Sequence, residues 1–392
     1  MPHMSRAFLV AAATGHTHIG SVPIDSTGDE HDHQSTLGER RAVKVPVPPA
    51  RVARSLAGRR YLRAGLCVAA FVLVPAAIPH YYLLVLESAL ALSIACLAVN
   101  LLLGYTGVLS LGHAAYFGIG AYAGGFLFTF GDVTSLEAYL VAGLVVSAAL
   151  AALGGALCVR ATRIQFTILT LAFSQTVHAL FVSGAAFRPF GEYGKGFFLI
   201  GDGGLYLPRF TMAGREVSPD RFEAVFYYVV LAAFLGSMVI LSRIVRSPFG
   251  VALRAIRDNV TRAEFVGIRV RHFRWCAFVL SGVFTGLAGA LGGQVDRQVT
   301  PHQLDWLLSA QLVMATVLGG TRHFLGPVLG AFALVGLKEI ALRFALYHGL
   351  TFGVLLVVVV FAFPDGLMGT VTRLQDRTAS PSRRRTGRAA DT

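Results

Sequence analysis

Apolar runs long enough to cross about 30 Å of hydrocarbon recur along this chain, and no other feature restricts its fold as tightly. They fall near 63–79, 82–103, 107–130, 138–159, 164–183, 224–243, 274–293, 306–321, 325–345 and 349–364. Lipid offers no water to backbone N–H and C=O groups, so such runs satisfy their own hydrogen bonds as helices. Of the 392 residues, 55% are hydrophobic and only 14% charged, against roughly 25% charged in a soluble domain. A single water-soluble core cannot hide that much apolar surface. The expected fold is all-α, a polytopic transmembrane helix bundle of about ten spans.

A formal net charge of +13 would suit a nucleic-acid partner, but the charges avoid the apolar runs and gather in a few connecting segments. The aromatic residues sit inside the runs and not among the arginines, so nucleic acid is excluded as a partner. If the N-terminal tail is cytoplasmic, an even number of spans returns the C terminus to the same side. The inside segments are then 40–63, 104–107, 160–163, 244–273, the turn at Arg322 and the tail 373–388, where nearly all unpaired arginines lie. The largest outside segment, 184–223, balances Arg188, Lys195, Arg209, Arg215 and Arg221 against Glu192, Asp202, Glu216, Asp220 and Glu223. That is the positive-inside pattern, with both termini cytoplasmic. Residues 1–60, polar and punctuated by Pro46, Pro48 and Pro49, read as a disordered basic tail. Residues 61–370 form the transmembrane domain, and 371–392 a second basic cytoplasmic tail.

Little in the chain suggests chemistry of its own. Cys67, Cys96, Cys158 and Cys276 all lie in apolar runs without CxxC spacing and read as small packing residues. His3, His16, His18, His31 and His33 fit a solvated tail better than a metal site. No GxxxxGK[ST] loop occurs; the nearest string, Gly191-Glu192-Tyr193-Gly194-Lys195-Gly196, lacks both the spacing and the hydroxyl residue. HExxH and GxSxG are absent from the spans. The reading is therefore no enzyme, no catalytic residue, no metal and no cofactor; if ATP is used, another chain must bind it.

Glycine placement bears on how the helices meet. Gly282, Gly286, Gly289 and Gly293 fall at i, i+4, i+7 and i+11, one stripe along a helix, and Gly120–Gly124 and Gly326–Gly330 repeat a small-xxx-small spacing. Without a hydrophobic drive between helices in lipid, close backbone approach is what packs them.

Polar groups inside spans are costly and tend to face a bundle interior or a water-filled path. Glu87, Asn100, Ser110, His113, Tyr116, Gln175 and Gln311 are the candidate solute-path residues. Ser110 and His113, three apart, are expected on one face at the start of the third span, with Gly104, Gly107 and Gly112 breaking helical regularity beside them. For each residue the competing reading is an interhelical hydrogen bond worth about 1 kcal/mol. Lys338 and Glu339 are adjacent, point apart, and are each expected to pair with another helix.

One charged loop remains. Across 247–267, Ser247 suits an N-cap and Pro248 the first helical position. Phe249, Ala252, Leu253, Ile256, Val260 and Ala263 keep a helical apolar period, while Arg254, Arg257, Asp258 and Thr261 take the other side. Gly267 is placed to end the helix. Such a helix could lie flat in the headgroups, act as a plain connector, or insert its apolar face into a groove on a cytoplasmic partner. Physics alone leaves the three open.

The loop resembles the cytoplasmic loop of permeases in the branched-chain amino acid class of bacterial ABC importers, in which a short helix fits a cleft on an ATPase. Glu264 and Gly267 stand where those permeases keep an acidic residue and a glycine, though the EAA triplet of other importer classes is not reproduced. Further landmarks follow in order from about 60 to 370: Leu97 to Gly107, Leu109 to Tyr122, Ala277 to Gly282, the Gly319-Gly320 turn before Gly326-Pro327-Val328-Leu329-Gly330, and Phe363-Pro364-Asp365-Gly366-Leu367. The N-terminal extension departs from the family. The resemblance implies a multi-pass subunit of the bacterial inner (plasma) membrane, with 184–223 as its periplasmic loop. It implies two cytoplasmic ATP-binding subunits using ATP, a second and related permease, and a periplasmic solute-binding protein. Phe249, Leu253, Arg254, Ile256, Arg257, Glu264 and Gly267 are then the expected coupling residues. A turn at 199–205 sits where the family places a glycine-rich one, without its usual Thr and Asn. Branched-chain amino acids are the expected cargo, with urea or short amides as the alternative in the same class. A secondary transporter or channel acting without ATP is the alternative outside it.

Overall fold

A computed structural model describes residues 69, 71–73, 75, 78–131, 133–161, 163–183, 205–207, 211–212, 219–344, 347–363, 366–370 and 372–373. The tail 1–60 with its histidines, Cys67, most of 184–223 with its glycine-rich turn, and 374–392 lie outside the described residues. All the described elements fall within one compact unit, Gly65–Thr392.

The described chain is mostly helical. In order it forms α1 (His80–Leu103), α2 (His113–Gly131), α3 (Leu136–Cys158), α4 (Arg163–Val182), α5 (Pro219–Arg246), α6 (Pro248–Asp258), α7 (Val260–Phe265), α8 (Val270–Asp296), a 3-10 turn (Pro301–Leu304), α9 (Trp306–Gly319), α10 (Gly326–Leu342) and α11 (His348–Ala362). Among the described residues six helices are long and apolar enough to cross a membrane. They are His80–Leu103, Leu136–Cys158, Ile164–Val182, Phe222–Arg246, Val270–Asp296 and Gly349–Thr370. This is a membrane protein. Of the run expected at 63–79, residues 71–73 are helical, and their carbonyls at Phe71 and Val72 accept the Tyr227 and Tyr228 hydroxyls of α5.

Three expected spans come out differently. The third begins at His113 and not near 107, because Gly107 turns the chain in the left-handed region (φ +70°) and 107–112 runs on without helix. The eighth and ninth are short, with 14 residues in α9 and 17 in α10. Ahead of α9, α8 ends at Arg297, itself left-handed (φ 50°), and the chain makes its 3-10 turn against α2, where Leu304 abuts Gly118. Two-residue strands, Leu205–Tyr206 (β1) and Gln298–Val299 (β2), pair antiparallel here, a small exception to the all-α expectation. They satisfy backbone groups at buried Leu205 and Val299 that no helix serves.

α8 is the centre of the bundle and packs on α1, α2 and α3. Its glycines account for that closeness. A Cβ on Gly289 would collide with the Phe117 carbonyl of α2, one on Gly286 with Ser147 of α3, and one on Gly282 with Ala151 of α3. The Cβ of Ala121 on α2 lies where one on Gly293 would meet it at 3.0 Å.

Gly289→Leu should therefore cost on the order of 3 kcal/mol through overpacking, seen as a fall in the unfolding midpoint of the detergent-solubilised protein. Gly336→Ala on α10, where an added Cβ meets nothing within 4 Å, should leave the midpoint unchanged or slightly higher.

Candidate functional site

The loop 247–267 is two helices and not one. Asn259 adopts an extended conformation (φ −158°, ψ 108°) that ends α6, and its side-chain oxygen accepts from the Arg262 N–H at 3.0 Å to cap α7. Ser247 stands at the N-cap position, but its hydroxyl donates back to the Ile244 carbonyl at 2.7 Å and caps nothing. Gly267, left-handed at φ +88°, closes the segment with its N–H on the Glu264 carbonyl at 2.9 Å.

The apolar stripe of α6 faces its own chain. Leu253 and Ile256 are fully buried, and Ile256 packs with Ala263 and Val270. Phe249 stacks on Phe273 of α8 with ring centroids 5.5 Å apart. The expectation that this stripe enters a partner's groove is corrected, because α5 and α8 already cover it. What the pair offers outward is Val251, Arg254, Asp258, Glu264, Phe265 (88% exposed) and Val266 (77% exposed). Phe265 and Val266 were not among the expected coupling residues. Their signal was that they fall off the apolar period yet close the helix. Arg257 donates to the Gly104 carbonyl, tying α6 to the end of α1.

Asn100, Ser110, His113 and Tyr116 are all buried. Ser110 lies in the non-helical stretch ahead of α2, so it does not share a helical face with His113 as expected; Gly107 delays the helix past it. Ser281 donates its one hydroxyl proton to the Ala98 carbonyl at 2.6 Å, so it accepts from His113 Nε2 at 2.7 Å. His113 thereby joins α2, α8 and α1, with Tyr116 and Phe278 edge-on to its ring. Tyr116 presents its carbonyl to Ser147 at 3.3 Å. Neither Asn100 nor Glu87 finds a hydrogen-bond partner for its side chain among the described residues, and both are sealed from solvent.

A cavity of about 350 Å³ lies between α1, α2, α8, the 3-10 turn, α9 and α10, and none of those five residues lines it. Gln311, another of the expected path residues, does line it, with Asp296, His302, Gln303, Asp305 and Lys338. Gln175 of α4 reaches it indirectly by donating to Asp305 Oδ1 at 3.3 Å. Ala91, Leu92, Phe117, Leu308, Leu334 and Val335 give the rest of the lining an apolar character. Glu223 meets both His80 and Arg297 (2.6 Å for the latter), and neither Lys338 nor Asp296 takes part in that cluster. Lys338 and Asp296 thus face one space without closing on each other. Glu339 takes the Tyr81 hydroxyl at 2.7 Å, the cross-helix partner expected of it, while Lys338 closes no ion pair among the described residues. Sequence reading missed Lys338, Asp296 and Asp305 as lining residues because only the turn at 297–305 brings them to Gln311.

Residues 81–363 match the family described as branched-chain amino acid transport system / permease component. The chain belongs to this family. It is 28% identical over 285 residues to the high-affinity branched-chain amino acid transport system permease protein LivM of Escherichia coli (strain K12), and likewise to LivM of Salmonella typhimurium. Each match takes in 69% of this chain and 66% of LivM, just under two thirds of the relative's length. It is also 30% identical over 161 residues to the autoinducer 2 import system permease protein LsrC of Klebsiella pneumoniae, covering 39% of this chain and 45% of LsrC. Family membership therefore admits more than one kind of solute.

Leu253→Ala should cost about 3 kcal/mol as a core truncation, lowering the unfolding midpoint, whereas Phe265→Ala on the exposed end should stay within about 0.5 kcal/mol. Equal effects would put the two side chains in the same environment.

Proposed function

We propose that the chain is the membrane-spanning permease subunit of an ATP-driven importer that carries branched-chain amino acids into the cytoplasm. The mixed-charge cavity is the observation that carries this reading. An amino acid brings an ammonium, a carboxylate and an aliphatic side chain. The cavity offers Asp296 and Asp305, Lys338, and a wall of Leu92, Leu308, Leu334 and Val335 to match them. Urea and short amides carry no charge and leave the acid and the base without counterparts, so the cavity favours the zwitterion over that alternative. A transporter acting without ATP fits less well, because family membership and the names of LivM and LsrC both point to multi-component transport systems.

The chain then crosses the bacterial inner membrane ten times, counting the run at 63–79, the 19-residue α2 and the shorter α9 and α10, with both termini cytoplasmic. Arg243, Arg246, Arg254, Arg257, Arg262 and Arg322, on connected inner-end segments, support that orientation. Two ATP-binding subunits, a second related permease and a periplasmic solute-binding protein complete the assembly, and ATP is held by the partner subunits. Val251, Phe265 and Val266, exposed on the α6–α7 pair, are the apolar surface on which an ATP-binding subunit would seat. Arg254 and Glu264 lie beside them. The domain limits are 61–370 for the permease, with 244–273 as coupling loop and 184–223 as periplasmic loop, flanked by the tails 1–60 and 371–392.

In proteoliposomes holding the whole complex with ATP, Lys338→Ala should lower leucine uptake about 30-fold or more, since truncating one partner of a desolvated charge pair costs about 2–5 kcal/mol. Unchanged leucine uptake, or urea uptake by the unaltered complex, would refute the assignment of the cavity. Gly267→Arg has open space around it but a backbone that L side chains resist. It should leave the protein inserted and abolish co-purification of the ATP-binding subunits; normal co-purification would overturn docking at this segment.

A further inference from the structure

A second cavity, of about 260 Å³, opens at the inner ends of α1 and α5, under α6 and the α9–α10 turn. Arg246, Arg254 and Arg257 of the adjoining α5 and α6 and Arg322 of the α9–α10 turn converge on it, and no carboxylate among the described residues lines it. Among the described residues none of the four forms an ion pair. Arg257 is anchored on the Gly104 carbonyl, so at least one guanidinium is held in place. Tyr105 lines the recess with them; burial pushes its phenol up while the nearby Arg254, Arg246 and Arg257 pull it down. Like charges gathered in a recess repel one another, and a bound anion relieves that repulsion.

A general excess of arginine is the ordinary state of an inner membrane face. This recess differs because Arg322 of the α9–α10 turn joins three arginines of the 246–257 stretch around one cavity and because an apolar path leads into it. Leu235, Val239, Ser242 and Arg246 follow one another at i, i+4, i+7 and i+11 along α5, and Val239 is 49% exposed on the flank. That stripe runs from the hydrocarbon zone to the arginines, as an acyl chain runs from its headgroup. Phe324 lines the recess, and Leu325 beside it is exposed.

We propose that this recess binds the phosphate of an anionic phospholipid at the membrane interface, with the acyl chains along the Val239 face of α5. Basic recesses between spans attract negatively charged headgroups, each arginine strengthening binding about fivefold. Val251, Phe265 and Val266 do not line the recess, while Arg254, which does, also borders the surface proposed for the ATP-binding subunit. The proposal stands apart from the transport reading and does not need it.

The test uses the full-length protein, delipidated and offered mixed micelles of phosphatidylglycerol or phosphatidylcholine, with bound lipid counted by native mass spectrometry. Phosphatidylglycerol should be retained selectively, and the double variant R246Q/R322Q should bind it about 30-fold more weakly. R160Q/R269Q, which removes the same charge outside the recess, should retain as much as the unaltered chain, and R246K/R322K should recover most of the binding. An equal fall in both Gln variants would overturn the proposal in favour of a diffuse charged surface. Absence of selectivity over phosphatidylcholine, or displacement of the lipid by millimolar inorganic phosphate, would also overturn it. So would full lipid retention by R246Q/R322Q together with lost co-purification of the ATP-binding subunits, because the recess would then belong to an acidic protein segment.

Discussion

Everything in this bundle depends on backbones approaching one another in a solvent that gives apolar side chains no reason to associate. Lipid tails are as apolar as leucine, so only shape and interhelical polar contacts select one packing over another. α8 meets that condition with glycines directed at α2 and α3. The space they vacate lets the Phe117 carbonyl of α2 and Ser147 of α3 come within contact of its backbone. Because α1, α2 and α3 all pack on this one helix, the position of each is set by the same few small residues.

Close packing also explains how non-helical backbone survives at depth. Residues 107–112 leave N–H and C=O groups with no helix to serve them, which lipid would penalise by several kcal/mol each. Side chains from two neighbours take their place. Thr170 Oγ1 of α4 accepts from the Leu111 N–H at 3.3 Å, and Thr167 Oγ1 donates to the Leu109 carbonyl at 2.8 Å. Ser309 Oγ of α9 accepts from the Ala114 N–H at 2.7 Å, one of the first-turn donors of α2 that no carbonyl can reach. Gln175 of α4 and Asp305, which leads into α9, tie the same two neighbours together at the cavity. The break that opens α2 and the turn that shortens α9 therefore stabilise each other.

This reciprocity marks the boundary of what the sequence makes legible. Long apolar runs, arginine placement and the glycine stripe are one-dimensional signals, and six long apolar helices and the packing of α8 follow from them. Gln311 was recognisable as a polar residue in a span. Lys338 was recognisable too, but not that it would face Asp296 across a cavity. That depends on a left-handed Arg297 and a 3-10 turn, both far in sequence from the charged end of α10. At the loop, periodicity over 247–267 reported an amphipathic helix correctly but could not say what covers its apolar face. Leu253 and Ile256 turn inward because α5 and α8 pack against α6 and cover them. The break at Asn259 was hidden by the continuous period. An Asn side chain competes with the helix for backbone N–H groups, and there it wins by capping α7.

The buried stripe alters how the α6–α7 pair would serve the proposed function. A helix that only borrowed its apolar face from a partner would be loosely held to its own subunit. Here Phe249 stacks on Phe273 of α8, Ile256 is closed in with Val270 of α8, and Arg257 holds the Gly104 carbonyl at the end of α1. Under that proposal a force on the exposed Phe265 and Val266 would be delivered to the ends of α8 and α1 nearest the loop together. Those two helices carry Asp296 and Ser88 at the cavity, far along the same rigid rods. Packed helices shift as units and do not deform continuously, so a rigid-body displacement at the inner end moves the cavity wall without any relay of side chains between.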